Sequence, residues 1–353
     1  MNSSLLMPAE WEPHKGTWLA WPHLEDHWPG KFEKIPPVYA EIVAALLEGG
    51  EEVFICVNSA EMEKIAREIL SQKFKNTGQN IAVAFSKIKF FQIPTDASWS
   101  RDHGPIFVRD KTGQLIIEDW IFNAWGDQWP HDKDDIVPQK IAEQLKMPII
   151  TPGIVLEGGS IDVNGKGLLL TTTQCLLNKN RNPHLTQKQI EKYLYDYLGA
   201  EKVLWLEEGI IGDDTSGHID DIARFTDANT IVCAVEENPK DENYEILKKN
   251  FEDLKRMTDQ NGKPLKIVAI PMPEPVICED CRLPASYANF YIANKAVLVP
   301  IFRGKNDEPA LKIFAELFPT RRIIGIDCVD LVWGLGTIHC STQQQPVYPT
   351  NSK

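Results

Sequence analysis

Short apolar runs alternate along the chain with longer stretches in which apolar side chains recur every three or four positions. The short runs, such as Val53 to Val57, predict buried strands. The longer ones predict amphipathic helices, such as one that Thr186 opens with Ile190 and Leu194 on one face. Because the two kinds of segment follow each other along nearly the whole chain, the pattern predicts an α/β fold.

A chain of 353 residues is long enough for two or three domains or for one compact repeat fold. No linker-like or low-complexity stretch divides the chain. The predicted strands are residues 18–22, 53–57, 88–93, 106–109, 114–118, 203–206, 267–270, 289–293, 296–301 and 323–326, with a two-residue hairpin turn at Asn164-Gly165. The predicted helices cover about residues 38–46, 62–69, 135–146, 186–198 and 244–257, with a further helix capped at Asp307.

Composition narrows the class of protein. With 353 residues, 43% of them hydrophobic, the chain can bury a large core. A formal net charge of -13 argues against a nucleic-acid partner and favours a small cationic one. No apolar run approaches the roughly 18 residues of a membrane span, so no membrane partner is expected. Seven cysteines without an export signal predict reduced thiols and a cytoplasmic protein.

Cys340 is the first candidate for chemistry. The segment from Gly334 to Gln345 places this cysteine among glycines and hydrogen-bonding side chains. A thiolate is the strongest nucleophile among ordinary side chains once nearby positive charge or a base lowers its pKa. The alternative is a small buried core residue, which is a frequent role for cysteine.

Trp99 and Asp102 form a second candidate site, three residues apart in a loop that Gly104-Pro105 closes. An aromatic face and a carboxylate together suit a planar cation, because the ring covers its face and the carboxylate bonds its edge. In the alternative interpretation Arg101 and Asp102 are a structural ion pair and Trp99 only packs.

Glu157 follows the apolar run Ile154 to Leu156 and precedes two glycines. A carboxylate in that position is expected to be partly buried and to need a partner, and a histidine that transfers protons is a suitable one.

His218 and Asp220 are predicted to lie on one face of a strand, because side chains alternate along a strand with a period of two. They would supply a proton-transferring group and a carboxylate together. A zinc site is the competing interpretation, since both residues bind zinc, and a plain surface pair is another. A metal-dependent hydrolase using these two residues therefore stays open. Cys278 and Cys281 form a CxxC motif without a second cysteine pair, which is a weak signal for a metal or redox site.

The candidates are regularly spaced. Asp102, Glu157 and His218 lie 55 and 61 residues apart, and Cys340 lies 122 residues beyond His218, about twice the same interval. This spacing indicates a repeat of roughly 60 to 70 residues that brings equivalent loops around a common centre.

The chain resembles the agmatine deiminase family, within the guanidino-modifying enzymes that include arginine and peptidylarginine deiminases. The resemblance covers nearly the whole chain. It rests on seven ordered segments, at residues 99–105, 122–126, 156–160, 178–184, 217–220, 283–291 and 338–340, with the sequences WSRDHGP, FNAWG, LEGGS, NKNRNPH, GHID, LPASYANFY and IHC. The resemblance implies a single domain over residues 1–353, a five-bladed α/β propeller (the pentein fold) built from ββαβ-type units with pseudo-fivefold symmetry. It also implies no metal and no organic cofactor.

The resemblance implies how the substrate is held. Asp102 and Asp220 would clamp a guanidinium through paired hydrogen bonds and leave its central carbon electrophilic. Trp99 would cover the face of the cation. The expected partner is therefore a small cationic guanidino compound. The oligomeric state stays open, with a homodimer or a higher homo-oligomer compatible with the chain.

The resemblance also implies the steps of the reaction. Cys340 would attack the guanidino carbon as a thiolate. His218, oriented by Glu157, would protonate the departing ammonia and then activate the water that hydrolyses an S-alkylthiouronium intermediate. The products would be a ureido compound and ammonia.

Substrate choice within the family is indicated by two segments. Peptidylarginine enzymes of this type have an arginine pair where this chain has Asn123-Ala124-Trp125. The acidic Asp213-Asp214 suits a free amine, so Asp214 is expected to bind the far end of agmatine. An arginine or peptidylarginine deiminase is the alternative.

Two departures from the family pattern lie beside expected catalytic residues. Gly334-Leu335-Gly336-Thr337 replaces a glycine-rich run that usually ends in asparagine, and Gly217 replaces a larger residue before His218. Leu335, Thr337 and Gly217 are therefore expected to alter the shape of the pocket or the rate.

Overall fold

The computed structural model describes residues 4–348. Its strands are β1 Leu5–Leu6, β2 His14–Ala20, β3 Glu52–Val57, β4 Ile88–Gln92, β5 Ile106–Asp110, β6 Leu115–Glu118, β7 Ile149–Ile150, β8 Asp162–Val163, β9 Leu168–Thr172, β10 Lys202–Leu206, β11 Ala223–Asp227, β12 Thr230–Val235, β13 Lys266–Pro271, β14 Ile277–Cys278, β15 Cys281–Arg282, β16 Tyr291–Ile292, β17 Ala296–Ile301, β18 Arg322–Asp327 and β19 Gln343–Pro346. Its α-helices are α1 Ile35–Glu48, α2 Ala60–Thr77, α3 Ile81–Ser86, α4 Ser100–His103, α5 Ala124–Asp127, α6 Val137–Leu145, α7 Thr173–Leu176, α8 Gln187–Leu198, α9 Tyr244–Arg256, α10 Asp307–Leu317 and α11 Ile338–Ser341. The predicted α/β class is confirmed.

Within residues 4–348, five sheets follow a single plan. In each, two strands pair antiparallel and the second pairs parallel with a third that is reached through a helix. The five sheet units are β5-β6-β7, β8-β9-β10, β11-β12-β13, β16-β17-β18 and β19-β2-β3, with helices α6, α8, α9, α10 and α1 before their third strands. The ββαβ order that the resemblance implied is present in every unit. Whether the units close into a five-bladed propeller stays a prediction.

One sheet joins the two ends of the chain. Strand β19 pairs antiparallel with β2, with Gln343 opposite Trp18, and β2 pairs in parallel with β3. Trp18 also donates through Nε1 to Gln345 Oε1 at 3.0 Å. The segment before β19, which contains Cys340, is thereby fixed to the first unit.

Local signals in the sequence correctly predict the starts of three long helices, α1, α2 and α8. Ser59 Oγ accepts the amide of Met62 at 3.1 Å at the start of α2. Thr186 and Gln189 form a reciprocal capping box at the start of α8. In α1 both prolines, Pro36 and Pro37, lie in the first turn, where their missing N–H groups cost no helical hydrogen bond.

Four predictions about local structure are wrong in detail. Strands β8 and β9 pair, but residues 164–167 join them, because Asn164 Oδ1 accepts the amides of Lys166 and Leu168 and closes a four-residue loop. Helix α10 begins at Asp307, whose carboxylate accepts the amides of Phe302 and Gly304 rather than capping the helix. The remaining two are the strand predicted at residues 289–293, which is limited to β16, and the strand predicted for His218 and Asp220.

His218 and Asp220 do not lie on a strand. His218 immediately precedes a single 3-10 turn, Ile219–Asp221, and β11 begins only at Ala223. The period-two argument therefore does not apply to this pair. A 3-10 turn instead directs successive side chains about 120° apart, so other contacts must orient each of them.

The main hydrophobic core packs α1 against its own sheet and against the sheet of β17 and β18. Leu46 and Val297 are among its fully buried side chains. None of the helices between residues 4 and 348 is long and apolar enough to cross a membrane.

Candidate active site

Each of the five sheet units is preceded by a short segment that carries buried polar side chains. Helix α4 precedes β5, two 3-10 turns precede β8 and β11, an irregular segment precedes β16, and α11 precedes β19. The polar side chains in these segments are, in chain order, Asp102, Glu157, His218 with Asp220, Asn289 and Cys340. The sequence-predicted residues thus occupy equivalent places in the repeat.

Gly159 is the point at which three of these side chains meet. A Cβ atom built on Gly159 would lie 2.6 Å from Asp102 Oδ1, 2.6 Å from His218 Nδ1 and 3.2 Å from Asp220 Oδ2. Because real Cβ atoms do not approach other heavy atoms that closely, only glycine fits at this position. Asp102, His218 and Asp220 are therefore brought together as predicted.

Asp102 lies on helix α4 rather than in an open loop, and it is 5% exposed. Its Oδ1 accepts the Gly159 amide at 2.9 Å, and its Oδ2 accepts Trp125 Nε1 at 3.0 Å. Burial, with help from the nearby Asp220 and opposed by His218, raises the pKa of Asp102 to about 6.

The proposed ion pair between Arg101 and Asp102 is wrong. Arg101 instead donates to Gln343 Oε1 at 2.7 Å and to Glu10 Oε2 at 3.3 Å. This leaves the carboxylate of Asp102 available to a ligand. The ion-pair part of the alternative interpretation is thereby excluded.

Trp99 is almost fully buried at 3% exposure and packs on Trp28, with ring centroids 5.4 Å apart. The backbone at Gly336 fits between Trp99 and Cys340, since a Cβ there would lie 2.9 Å from Trp99 Cζ3 and 3.0 Å from Cys340 Cβ. The aromatic face and the thiol are therefore neighbours, separated by a glycine backbone.

Glu157 is fully buried, and Arg181 is its direct partner. Arg181 Nε donates to Glu157 Oε1 at 2.5 Å, while its other nitrogens donate to Asn180 Oδ1 and to the carbonyl of Thr215. The second carboxylate oxygen, Oε2, has no hydrogen-bond partner among the described residues. The expected histidine partner, His218, lies nearby. A carboxylate oxygen of Glu157 and a ring nitrogen of His218 lie within 4.8 Å of each other.

His218 is 1% exposed, and its Nδ1 lies 3.7 Å from Asp102 Oδ1. Burial alone would lower the pKa of this imidazole, but Asp102, Cys175 and Glu157 outweigh burial and raise the pKa well above its ordinary value. The ring is therefore held as an imidazolium at neutral pH.

One group of possible metal ligands is present in the described part of the chain: Glu157, Cys175 and His218. It is not the pair His218 and Asp220 that sequence reasoning considered for zinc. The guanidinium of Arg181 lies against Glu157 and opposes a second positive charge there.

Asp220 is fully buried and held from one side. His339 Nδ1 lies 2.7 Å from its Oδ2, and His339 Nε2 lies 2.8 Å from Glu10 Oε2, which Arg224 also contacts at 2.9 Å. Burial raises the pKa of Asp220, but the hydrogen bond and charge of His339, together with the charges of His218 and Arg224, outweigh burial and lower the pKa below its ordinary value. Its Oδ1 has no partner among residues 4–348 and is free to accept from a ligand.

Cys340 lies on α11 and is 6% exposed. Asn289 Nδ2 approaches its Sγ to 3.1 Å, and Asp220 Oδ2 lies 3.8 Å from the same sulfur. Burial together with Asp220, Asp221 and Asp102 raises the pKa of this thiol well above its ordinary value. The thiol of the free protein is therefore protonated at neutral pH.

The departures at Thr337 and Gly217 have local structural explanations. Thr337 Oγ1 donates to Asn289 Oδ1 at 2.7 Å and so orients the amide that contacts Cys340. Gly217 has a φ of 86°, and a Cβ there would lie 2.5 Å from Gln174 Oε1. Leu335 also has a positive φ, 67°, and its side chain lines the cavity described next.

A cavity of about 290 Å³ opens above Cys340. Buried Trp99, Asp102 and Trp125 line its inner part. Its remaining lining residues are Asp26, His27, Pro29, Trp129, Asp214, Thr215, Cys278, Glu279, Cys281, Leu283, Trp333, Gly334, Leu335 and Gly336. A volume of this size suits a small ligand.

Asp214 lines this cavity, whereas Asp213 is occupied elsewhere. Asp213 accepts the amides of Thr215, Gly217 and His218 and so holds the turn before His218. Burial, with the neighbouring Asp213, raises the pKa of Asp214 to about 7. Of the acid pair noted in the sequence, Asp213 thus holds the backbone turn and Asp214 lines the cavity.

Sequence reasoning missed Asn289, Trp125 and Arg181. Asn289 lies roughly midway between His218 and Cys340, where the doubled interval left a gap in the repeat. That gap was a usable signal for Asn289. Trp125 and Arg181 had no comparable signal, because their roles depend on contacts with Asp102 and Glu157 across the fold.

Comparisons with known proteins identify the family to which this chain belongs. A family model described as Porphyromonas-type peptidyl-arginine deiminase matches residues 6–346. A protein of Legionella pneumophila subsp. pneumophila named "Putative agmatine deiminase" is 36% identical over 343 residues, which cover 96% of this chain and 94% of that protein. The structure of the Enterococcus faecalis agmatine deiminase has a TM-score of 0.85 and 33% identity, with 97% of this chain and 96% of that chain covered. The C. jejuni agmatine deiminase with substrate bound has a TM-score of 0.85 and 34% identity, with 98% and 97% covered.

The coverage and identity confirm the resemblance found in the sequence. This chain is a member of the agmatine deiminase family, within the wider Porphyromonas-type peptidyl-arginine deiminase family, and a hydrolase that acts on the C–N bonds of guanidino groups.

Proposed function

We propose that the protein hydrolyses agmatine to N-carbamoylputrescine and ammonia through a covalent intermediate on Cys340. The observation that carries the choice of substrate is the lining of the cavity. Among the described residues, acidic and aromatic side chains line it, and no arginine or lysine does. A substrate with a carboxylate would need a cation there, whereas agmatine has an ammonium at its far end that Asp214 can bind.

The guanidinium would bind between Asp102 and Asp220. Oδ1 of Asp220 has no hydrogen-bond partner in the described part of the chain. A carboxylate such as Asp102 can accept about four hydrogen bonds, and Asp102 accepts two there. Trp99 would cover the face of the cation. These contacts hold the planar group beside Gly159, within reach of both Cys340 and His218.

The reaction would then proceed in two steps. The Cys340 thiolate attacks the guanidino carbon, and the His218 imidazolium gives its proton to the departing ammonia. Neutral His218 next takes a proton from water, which attacks the thiouronium carbon and releases the thiolate. Glu157, fixed by Arg181, favours the charged form of His218 in the first step.

Substrate binding would itself activate the nucleophile. Burial, together with the carboxylates of Asp220, Asp221 and Asp102, raises the pKa of the Cys340 thiol and keeps it protonated in the free protein. A bound guanidinium would place a positive charge between those carboxylates and the sulfur. This charge would offset the repulsion between the carboxylates and a Cys340 thiolate while the substrate is bound. The thiolate would therefore form mainly in the complex, and its proton would leave to solvent, because His218 already carries a proton.

The KM for agmatine is expected to fall as pH rises through about 7, because Asp214 with its pKa of about 7 becomes ionised over that range. Its ionised fraction rises from roughly one-tenth to nine-tenths between one pH unit below and one above the pKa, so KM should fall by up to about ninefold. The measurement is KM against pH for the wild type and for Asp214→Asn. A variant that keeps the full pH dependence would exclude Asp214 as its source.

Gly159→Ala is expected to lower kcat/KM for agmatine by about a hundredfold, because a methyl group would occupy the point where Asp102, His218 and Asp220 meet. Gly325→Ala is the matched control, since its Cβ would make only contacts of 3.3 Å and longer. Thermal unfolding of both variants separates a blocked site from a disrupted fold. Near-normal activity of a folded Gly159→Ala protein would contradict the proposed site.

A panel of substrates tests the proposed function directly. Ammonia and ureido product are measured with agmatine, arginine, peptidylarginine and methylated arginine. Faster release from arginine or peptidylarginine than from agmatine would favour the alternative substrates. Incubation with a chelator separates this mechanism from a metal-dependent hydrolase at Glu157, Cys175 and His218, because only the metal enzyme would lose activity.

We further infer that the five sheet units form one closed deiminase domain over residues 1–353, as a five-bladed propeller. Two observations support this arrangement: the pairing of β19 with β2, and the equivalent position of the polar segment in every unit. No metal and no organic cofactor enter the proposed chemistry. Location in the cytoplasm and assembly into a homo-oligomer stay predictions.

A further inference from the structure

Cys278 and Cys281 face each other at the rim of the cavity. Strands β14 and β15 form a hairpin in which these two cysteines are the register partners next to the turn. The turn consists of Glu279, with a φ of 54°, and Asp280. Both cysteines line the same cavity as Cys340.

These two thiols are also the accessible ones. All seven cysteines are free, but the other five are buried, whereas Cys281 is exposed and Cys278 is partly exposed. Partial burial and the neighbouring Glu279 carboxylate raise the pKa of the Cys278 thiol. Cys281 is therefore the thiol that a reagent in solution meets first.

The backbone geometry permits a bond between them. Directly opposed residues of an antiparallel pair have Cα atoms about 4.5 or 5.5 Å apart, and disulfides span Cα separations of about 4.4 to 6.8 Å. A disulfide across a two-residue turn closes a very short loop, so it stabilises little and stays reducible.

We propose that Cys278 and Cys281 are a modification site at which small disulfide compounds, such as oxidised glutathione, form a reversible disulfide that alters the substrate cavity. The Cys281 thiolate attacks the small disulfide and gives a mixed disulfide plus one thiolate. The Cys278 thiolate then attacks the Cys281 sulfur, forms the intramolecular disulfide and releases the second thiolate. The two protein thiols lose two electrons, and the reagent is reduced to two thiols.

The hairpin is in contact with the loop that carries Asp214. A Cβ built on Gly212 would lie 2.3 Å from the carbonyl oxygen of Arg282, so these backbones touch. Arg282 is itself fixed to Asp241 by a 2.6 Å ion pair, which anchors one end of β15. Drawing Cys278 and Cys281 together therefore moves the rim of the cavity and disturbs the position of Asp214.

The chemical part of the test needs no activity. Cys340→Ser protein, which lacks the buried nucleophile, is equilibrated in oxidised and reduced glutathione at several ratios, and peptide mapping locates the disulfides. A Cys278–Cys281 disulfide that forms with the loss of two hydrogen atoms and disappears with dithiothreitol is the expected result. Only a mixed disulfide at Cys281, or no reaction at any ratio, would overturn the proposal.

The functional part rests on the proposed deimination of agmatine. After the same treatment the wild type should show KM for agmatine raised roughly fivefold with kcat little changed, and dithiothreitol should reverse the change. The double variant Cys278→Ser/Cys281→Ser, compared with its own untreated activity, should not respond. An equal response of this variant would assign the effect to Cys340 and overturn the regulatory part. If untreated wild type releases no ammonia from agmatine, the proposed function fails while the mapping result stands by itself.

Discussion

Cys340→Ala is expected to lower the turnover of agmatine by at least about 10⁴-fold, because removal of a nucleophile that acts with its proton-transfer partner removes the covalent route. Binding of agmatine to the variant should persist within about threefold, since Asp102, Asp220 and Trp99 make the contacts with the cation. Single-turnover ammonia release measures the first effect. Titration calorimetry with agmatine measures the second.

The control for this variant is Cys233→Ala. Cys233 is fully buried on β12 and does not line the cavity, so its loss should affect stability and not turnover. Turnover by Cys340→Ala within tenfold of the wild type would mean that another nucleophile attacks the substrate. A water bound to a metal at Glu157, Cys175 and His218 would then be the first candidate.

The sequence located the site through spacing more than through any one motif. Asp102, Glu157 and His218 lie about 60 residues apart because each occupies the segment before the first strand of a repeated unit. A repeat of this kind keeps equivalent positions on one side of the structure, so residues far apart in sequence meet. The interval between His218 and Cys340 is about twice as long, so the repeat predicts one more polar residue between them. Asn289 occupies that place.

Contacts between units could not be predicted in this way. Arg181 was visible only as part of a matching segment, yet it donates to Glu157 at 2.5 Å. Trp125 has a φ of 57°, which is rare for a tryptophan, and this backbone directs its indole N–H to Asp102. Neither contact has a sequence period, because each depends on how two neighbouring units pack.

The strand predicted for His218 and Asp220 is wrong, although the two side chains do lie close to each other. The alternation of a strand would place them on one face, but the backbone there makes a 3-10 turn. They meet near Gly159 because the amide of His218 is held by Asp213, while His339 fixes the carboxylate of Asp220. Local pattern therefore gave the identity of the pair, and tertiary contacts give its geometry.

Behind the site, a buried chain of charged side chains determines the ionisation of Asp220. Asp220 contacts His339, His339 contacts Glu10, and Glu10 contacts Arg224 at 2.9 Å. Arg224 in turn is paired with Asp162 on β8. Because every member is buried and paired with the next, the chain keeps Asp220 ionised in a place where burial alone would raise its pKa.

Asp220→Asn is expected to change two measurements in opposite directions. Turnover of agmatine should fall by about 10³-fold, because the variant loses the charge that holds the guanidinium. Alkylation of Cys340 by iodoacetamide in the free protein should become faster at a given pH, because Asp220 is the largest of the carboxylate contributions that raise the pKa of this thiol. The measurements are ammonia release and the pH profile of alkylation.

Asp221→Asn separates the two effects. Asp221 also raises the pKa of the Cys340 thiol, but it accepts from Asn289 and does not border the point at Gly159 where the guanidinium would bind. Alkylation should therefore accelerate in this variant too, while turnover falls much less than in Asp220→Asn. If alkylation of Cys340 is unchanged in both variants, the carboxylates do not control the thiol, and activation of the nucleophile by the bound cation is wrong.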